Sequence, residues 1–169
     1  MWQGAVTRAG LRSGETVLVT GASGGVGSAA VQLCKRMGCK VLAVTSSEEK
    51  REFITRLGPD AVIVAPSVGE RGPQFNQHPL VKADPPTVVI ECTGGPTFQA
   101  SLRSLQADGR MVLVGNVDNS TAQLPLGLCI LKSLSVVGSD RCGASSDPHY
   151  TPVADLSMLM LMWVRHSCC

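Results

Sequence analysis

Short apolar runs alternate with amphipathic stretches along most of the chain. "TVLVT" at 16–20 and "KVLAV" at 40–44 are aliphatic or β-branched without polar alternation, the pattern of strands buried on both faces. Between them Val26, Ala29, Ala30, Leu33, Cys34 and Met37 recur with helical spacing, and Gly38 offers a stop. "SSEEKREFITRLG" at 46–58 predicts a second helix, opened by a Ser46–Glu49 capping box and closed at Gly58, with Phe53, Ile54 and Leu57 on one face. "AVIV" at 61–64, "TVVIE" at 87–91, "RMVLVG" at 110–115 and "LSVVGS" at 134–139 read as further strands, and a helix near 96–107 carries Phe98, Leu102 and Leu105. Six strands alternating with helices predict an α/β fold built on a doubly wound parallel sheet. Residues 65–86 break the pattern and hold five of the ten prolines, which predicts a short irregular helical crossover or a surface insertion.

Composition narrows the classes. A chain of 169 residues, 44% hydrophobic, is long enough for one domain that buries roughly two-thirds of its unfolded surface. Its formal charge of +2 comes from scattered Lys and Arg with 4% aromatics, so there is no footprint for nucleic acid. "MWQGAVTRAG" lacks a signal-peptide profile, and the longest apolar run, "LMLMWV" at 159–164, falls far short of the ~20 residues that span a bilayer. The expectation is a cytoplasmic protein with no membrane partner. Seven cysteines, an odd number, with Cys34 and Cys92 inside packed patterns, suit reduced thiols better than disulfides. Cys34 and Cys39 have no nearby His, and Cys168 and Cys169 close the chain, so no metal site is expected.

Chemistry concentrates in "TGASGGVG" at 20–27, which holds four of the 18 glycines. A glycine turn between a buried strand and a helix brings backbone amides and the positive end of a helix dipole to a pyrophosphate. The turn follows a predicted strand and opens a predicted helix, with Ala22 in the first glycine position of G-x-G-x-x-G. A Walker A loop would need a lysine after the glycines, where this chain has Val26-Gly27-Ser28. At the tip of the second strand stand Thr45, Ser46 and Ser47, then Lys50 and Arg51, in place of the acid that holds an NAD ribose. Neutral donors with cations favour NADP(H) over NAD(H). The alternative is that Ser46 only caps its helix and that Lys50 and Arg51 are solvated charges.

"TGASGGVG" also satisfies the T-G-x-x-x-G-x-G pattern of short-chain dehydrogenases. Their Tyr-x-x-x-Lys pair is missing, because Ala154 stands four residues after Tyr150, the only tyrosine. The longer stretches 9–58, 88–115 ("VVIECTGGPTFQASLRSLQADGRMVLVG") and 130–139 ("ILKSLSVVGS") resemble the Rossmann cofactor domain of medium-chain dehydrogenases/reductases, closest to the quinone oxidoreductase branch.

The resemblance covers about residues 2–145 and implies a dinucleotide-binding domain over 1–145, with 146–169 a tail of uncertain fold. It implies that Ser23, Gly24, Gly25 and Val26 line the pyrophosphate, and that Thr45, Ser46, Ser47 and Lys50 face the adenosine ribose. Thr93, Gly115, Asn116, Gly138 and Ser139 would approach the nicotinamide half. The family's GroES-like catalytic domain, which carries the substrate pocket and in alcohol dehydrogenases the zinc ligands, is expected to be absent from this chain, and no zinc is expected in it. The implied activity is hydride transfer between NADPH and a carbonyl, enone or quinone, with little turnover by this chain alone. The competing reading is a non-catalytic nucleotide-binding or interaction module. It gains from the lack of an acid–base residue, since His78 and His149 lie in loop-like text and His166 near the end. The resemblance further implies a homodimer through the sixth-strand edge, residues 133–139.

Overall fold

The computed structural model describes residues 1–66, 72–117, 119 and 121–139. The expected tail at 146–169, with His149 and His166, lies outside the described residues.

Strands β1 (Thr16–Val19), β2 (Lys40–Thr45), β3 (Ala61–Val64), β4 (Val88–Glu91), β5 (Arg110–Leu113) and β6 (Ser135–Gly138) form one sheet of order β3-β2-β1-β4-β5-β6. Every pairing is parallel. Both faces are covered, which is why β1 and β4 carry no polar alternation. Val17, Val19, Val88 and Ile90 point to one side, where they meet Ala30, Val31 and Cys34 of helix α1 (Gly25–Arg36). Leu18 and Val89 point to the other, into a cluster with Phe98, Leu102 and Leu105 from helix α4 (Gly95–Ser104) and the turn that ends it. Each such aliphatic side chain, fully buried, contributes on the order of 1.5–3 kcal/mol.

Several details differ from the sequence expectations. In α1 Val26 is exposed and Val31 is buried, so the inward stripe runs through Gly27, Ala30, Val31 and Cys34. The second helix starts as a 3-10 turn at Glu48–Lys50 and becomes α2 only over Arg51–Arg56. The Ser46–Glu49 capping box does not form. Ser47 is the residue before the helical turn and makes no side-chain cap, while Arg51 reaches back to pair with Glu48. Phe53 is exposed and Ile54 fully buried, so a helix of this length turns a narrower face inward than the spacing implies.

The proline-rich crossover contains a 3-10 turn at Phe75–Gln77 and the short helix α3 (Pro79–Ala83). Phe75 and Val81 drop from it into the core. His78 is not a free surface residue: it is half-buried and caps α3, its Nδ1 accepting from the Leu80 amide at 3.3 Å.

Two elements had no counterpart in the pattern. A π-helical segment, Gln3–Arg8, packs beside β5, held by Arg110, whose Nε donates to the Ala9 carbonyl at 2.6 Å and which pairs with Glu15 at 2.7 Å. Helix α5 (Leu126–Lys132) precedes β6 and buries no residue fully. Lys132 reaches from it to cap α4, donating to the Leu105 carbonyl at 2.5 Å. No helix among the described residues is long and apolar enough to cross a membrane.

Candidate functional site

The strand order reverses direction between β1 and β4, the place where open α/β sheets form a crevice beyond their carboxyl ends. Every described candidate residue lies along that carboxyl edge.

The glycine turn leaves β1 at Thr20 and enters α1 at Gly25, folded by the Gly24 amide donating to the Gly21 carbonyl at 2.9 Å. Gly24 and Gly25 are exposed and Ser23 is half-buried. The first-turn amides of α1 have no partner within the helix, which leaves them available to a ligand at the helix N-terminus. Gly27 is what lets the helix start so close to the strand: a Cβ there would stand 2.2 Å from the Gly21 carbonyl oxygen.

At the tip of β2, Thr45 is buried and accepts from the Ser47 amide at 3.4 Å, while Ser46 and Lys50 are exposed. The two neighbouring cations differ. Arg51 is committed to Glu48 and to the Val62 carbonyl, and its hydrogen bond holds the Glu48 carboxyl below the usual range. Lys50 has no acidic partner among the described residues.

The loops after β4 and β5 meet on the far side of the crevice. Thr93 is half-buried, and its carbonyl accepts from the Val117 amide at 2.9 Å. Gly94 sits at φ +103°, and a Cβ there would fall 2.4 Å from Asn116 Oδ1, so the two loops touch where a side chain has no room. Gly115 is half-buried and Asn116 exposed; Gly138 and Ser139 follow at the end of β6, Ser139 near Gly4 of the π-helical segment.

One group escaped the sequence reading. Glu91, the last residue of β4, is fully buried, and hydroxyls and amides from Thr20 just after β1, from its own loop and from α4 converge on its carboxylate. An acid closing the otherwise apolar run "TVVIE" was the available signal, since a buried charge requires partners.

Cys34 and Cys92 are free and buried, and burial pushes both thiols up to about 12, which leaves them inert rather than nucleophilic. Two clefts, of about 550 and 560 Å³, lie beside the crossover, one against the end of β3 and one between Gln77, Gln99 and Arg103. Neither includes the glycine turn.

A six-stranded parallel sheet of this order, with a glycine turn at its switch point, defines a nucleotide-binding Rossmann domain. The family described as zinc-binding dehydrogenase matches residues 25–157, and the chain belongs to it, as a cofactor domain of the medium-chain dehydrogenase/reductase superfamily. An acryloyl-coenzyme A reductase of Metallosphaera sedula is 48% identical over 132 residues, covering 78% of this chain and 37% of that protein. A crystal structure of the quinone oxidoreductase from Thermus thermophilus, also solved with NADPH, is 28% identical with a TM-score of 0.66, covering 95% of this chain and 47% of that one. The structure of a 2-octenoyl-CoA carboxylase reductase in complex with NADP and 2-octenoyl-CoA is 30% identical with a TM-score of 0.68, covering 82% of this chain and 35% of that one. The chain thus spans under half the length of each. Among the described residues no group of three or more His, Cys, Asp or Glu could hold a metal ion, so their donors do not fit the zinc of the family's name.

Proposed function

We propose that this chain is the NADP(H)-binding part of an oxidoreductase that transfers hydride between NADPH and a carbonyl, a quinone or an activated alkene. The observation that carries the reading is the glycine turn at the switch point, with α1 opening over it. The NADPH and NADP complexes of two similar structures support it. Bound there, the dinucleotide supplies the hydride. The chain's own residues bind and orient it. Ser23, Gly24, Gly25 and Val26 line the pyrophosphate, Gly24 by close backbone approach because its amide is held by the Gly21 carbonyl, and Thr45, Ser46 and Ser47 take the adenosine ribose. Lys50 takes the 2′-phosphate, with Glu48 neutralised by Arg51 so that it does not compete for the lysine. Thr93, Gly115, Asn116, Gly138 and Ser139 form the wall beside the nicotinamide.

The substrate side of that wall is not furnished by these elements: the candidate groups on the far side of the crevice offer hydroxyl, amide and backbone groups, which orient a ligand but are poor proton donors at neutral pH. The chain alone therefore binds cofactor with little turnover. Steady consumption of NADPH by this chain with a quinone or an enone would contradict that half of the reading. Failure to bind either dinucleotide would instead favour a non-catalytic interaction module.

The same reading includes a homodimer through the β6 edge. β6 ends the sheet with its outer backbone groups unpaired within the described residues, and α5 beside it exposes Leu126, Ile130 and Leu131. The NADP preference is tested by competition between 2′,5′-ADP and 5′-ADP. The first should bind more tightly, and equal binding would refute the role of Lys50.

A further inference from the structure

Glu91 is the one charged residue fully buried among the described residues, and no cation partners it there. Its Oε1 accepts from Thr20 Oγ1 at 2.6 Å, the Thr93 amide at 2.9 Å, the Gly94 amide at 3.0 Å and Thr97 Oγ1 at 2.6 Å. Its Oε2 accepts from Ser101 Oγ at 2.5 Å. Thr20 Oγ1 in turn accepts from the Cys92 amide at 2.9 Å.

Well-packed apolar residues often stabilise a core as well as buried charged groups do, so stability alone is a weak reason for an acid here. The placement of the donors is a stronger one. Thr20 directly follows β1 and begins the glycine turn, whereas Thr93 and Gly94 form the loop across the crevice. Thr97 and Ser101, one turn apart on α4, fix the carboxylate to a rigid element. The carboxylate therefore sets the gap between the two walls, and Thr93 Oγ1 lies only 3.0 Å from where a Cβ on Gly21 would stand. Through the Val117 amide on the Thr93 carbonyl the same constraint reaches the loop carrying Asn116.

We propose that Glu91 is a positioning residue for the nicotinamide half of the dinucleotide, acting through Thr20 on one wall of the crevice and Thr93 and Gly94 on the other; this rests on the cofactor reading above. The adenosine half, held by the β2 tip and by Lys50, lies outside this linkage.

The test compares the unaltered chain with Thr20→Val, Thr20→Ser and Glu91→Gln, titrated with NADPH and with 2′,5′-ADP, which lacks the nicotinamide half. Thr20→Val removes the hydroxyl that joins the walls and keeps the side-chain volume. It should weaken NADPH about tenfold while 2′,5′-ADP changes by less than about twofold, and Thr20→Ser should restore the affinity. The fluorescence of bound NADPH should move toward that of the free cofactor in Thr20→Val alone of that pair. Should Thr20→Val fail to fold, Glu91→Gln carries the same contrast, because its amide can face Ser101 while its carbonyl keeps the other donors with a weaker grip. Equal affinities for NADPH in variant and unaltered chain would overturn the inference. So would parallel losses for both ligands, which mark a purely structural role. If the unaltered chain binds neither ligand, the cofactor reading itself falls.

Discussion

Replacing Gly27 by alanine separates packing from ligand binding in the glycine turn. An added Cβ would lie 2.2 Å from the Gly21 carbonyl oxygen, 2.8 Å from the Gly21 carbonyl carbon and 2.9 Å from the Ala22 Cα. All three are backbone atoms, so no side-chain rotation relieves the overlap. Reaching an ordinary contact requires the turn and helix to part by about 1 Å or more, at the start of a helix whose Ala30, Val31 and Cys34 are fully buried. Such overpacking typically costs about 1–3 kcal/mol, from which the helix preference for alanine over glycine returns up to about 1 kcal/mol. The net loss should lower the melting temperature by several degrees, about 2–4 °C per kcal/mol for a chain of this size. Gly25→Ala is the control: nothing lies within 4 Å of its added Cβ, so the fold should tolerate it, yet the methyl projects where a pyrophosphate would approach. Thermal unfolding followed by circular dichroism, paired with NADPH titration, should show Gly27→Ala less stable and Gly25→Ala of unchanged stability with weakened binding. An unchanged melting temperature for Gly27→Ala would refute the close-approach argument.

Three further outcomes are expected. Cys34 and Cys92 should resist iodoacetamide in the native chain and react on unfolding, as read by mass spectrometry, since burial raises both thiols to about 12. Burial opposes ionisation of Asp60, but hydrogen bonds from Lys35 and from the Val41 amide outweigh it and hold the carboxyl below its usual 3.8, so its stabilising effect is present above that pH and is lost as pH falls through the lower folded value. Urea midpoints for Asp60→Asn should accordingly differ from those of the unaltered chain at pH 6 and converge with them in strong acid. On the proposed β6-edge dimer, Val136→Pro, which places a residue without an amide hydrogen in the edge strand beside α5, should yield monomer; a dimer unchanged by it in light scattering would rule out that interface.

The sheet was legible because its strands are buried on both faces, and continuous aliphatic runs such as "TVLV" and "VVIE" have few other uses in a chain of this composition. The glycine turn was legible because its residues act locally. What the sequence concealed depends on distant partners. Helix α5 lacks a buried stripe, so its "LGLCILK" carries no helical period. Phe53 and Ile54 are adjacent and equally apolar, and only packing decides that Ile54 turns inward. The partners of Glu91 lie as far away as Thr20, and no local spacing announces a contact made by the pairing of β1 with β4.

On the proposed reading, the crevice above β1 and β4 holds NADPH by its pyrophosphate and 2′-phosphate. Calorimetric titration of the chain with NADPH and, separately, NADH tests this most directly. NADPH should bind more tightly, and Lys50→Ala should bring its affinity down toward that of NADH. Binding of neither dinucleotide, or NADPH affinity untouched by the loss of Lys50, would contradict it.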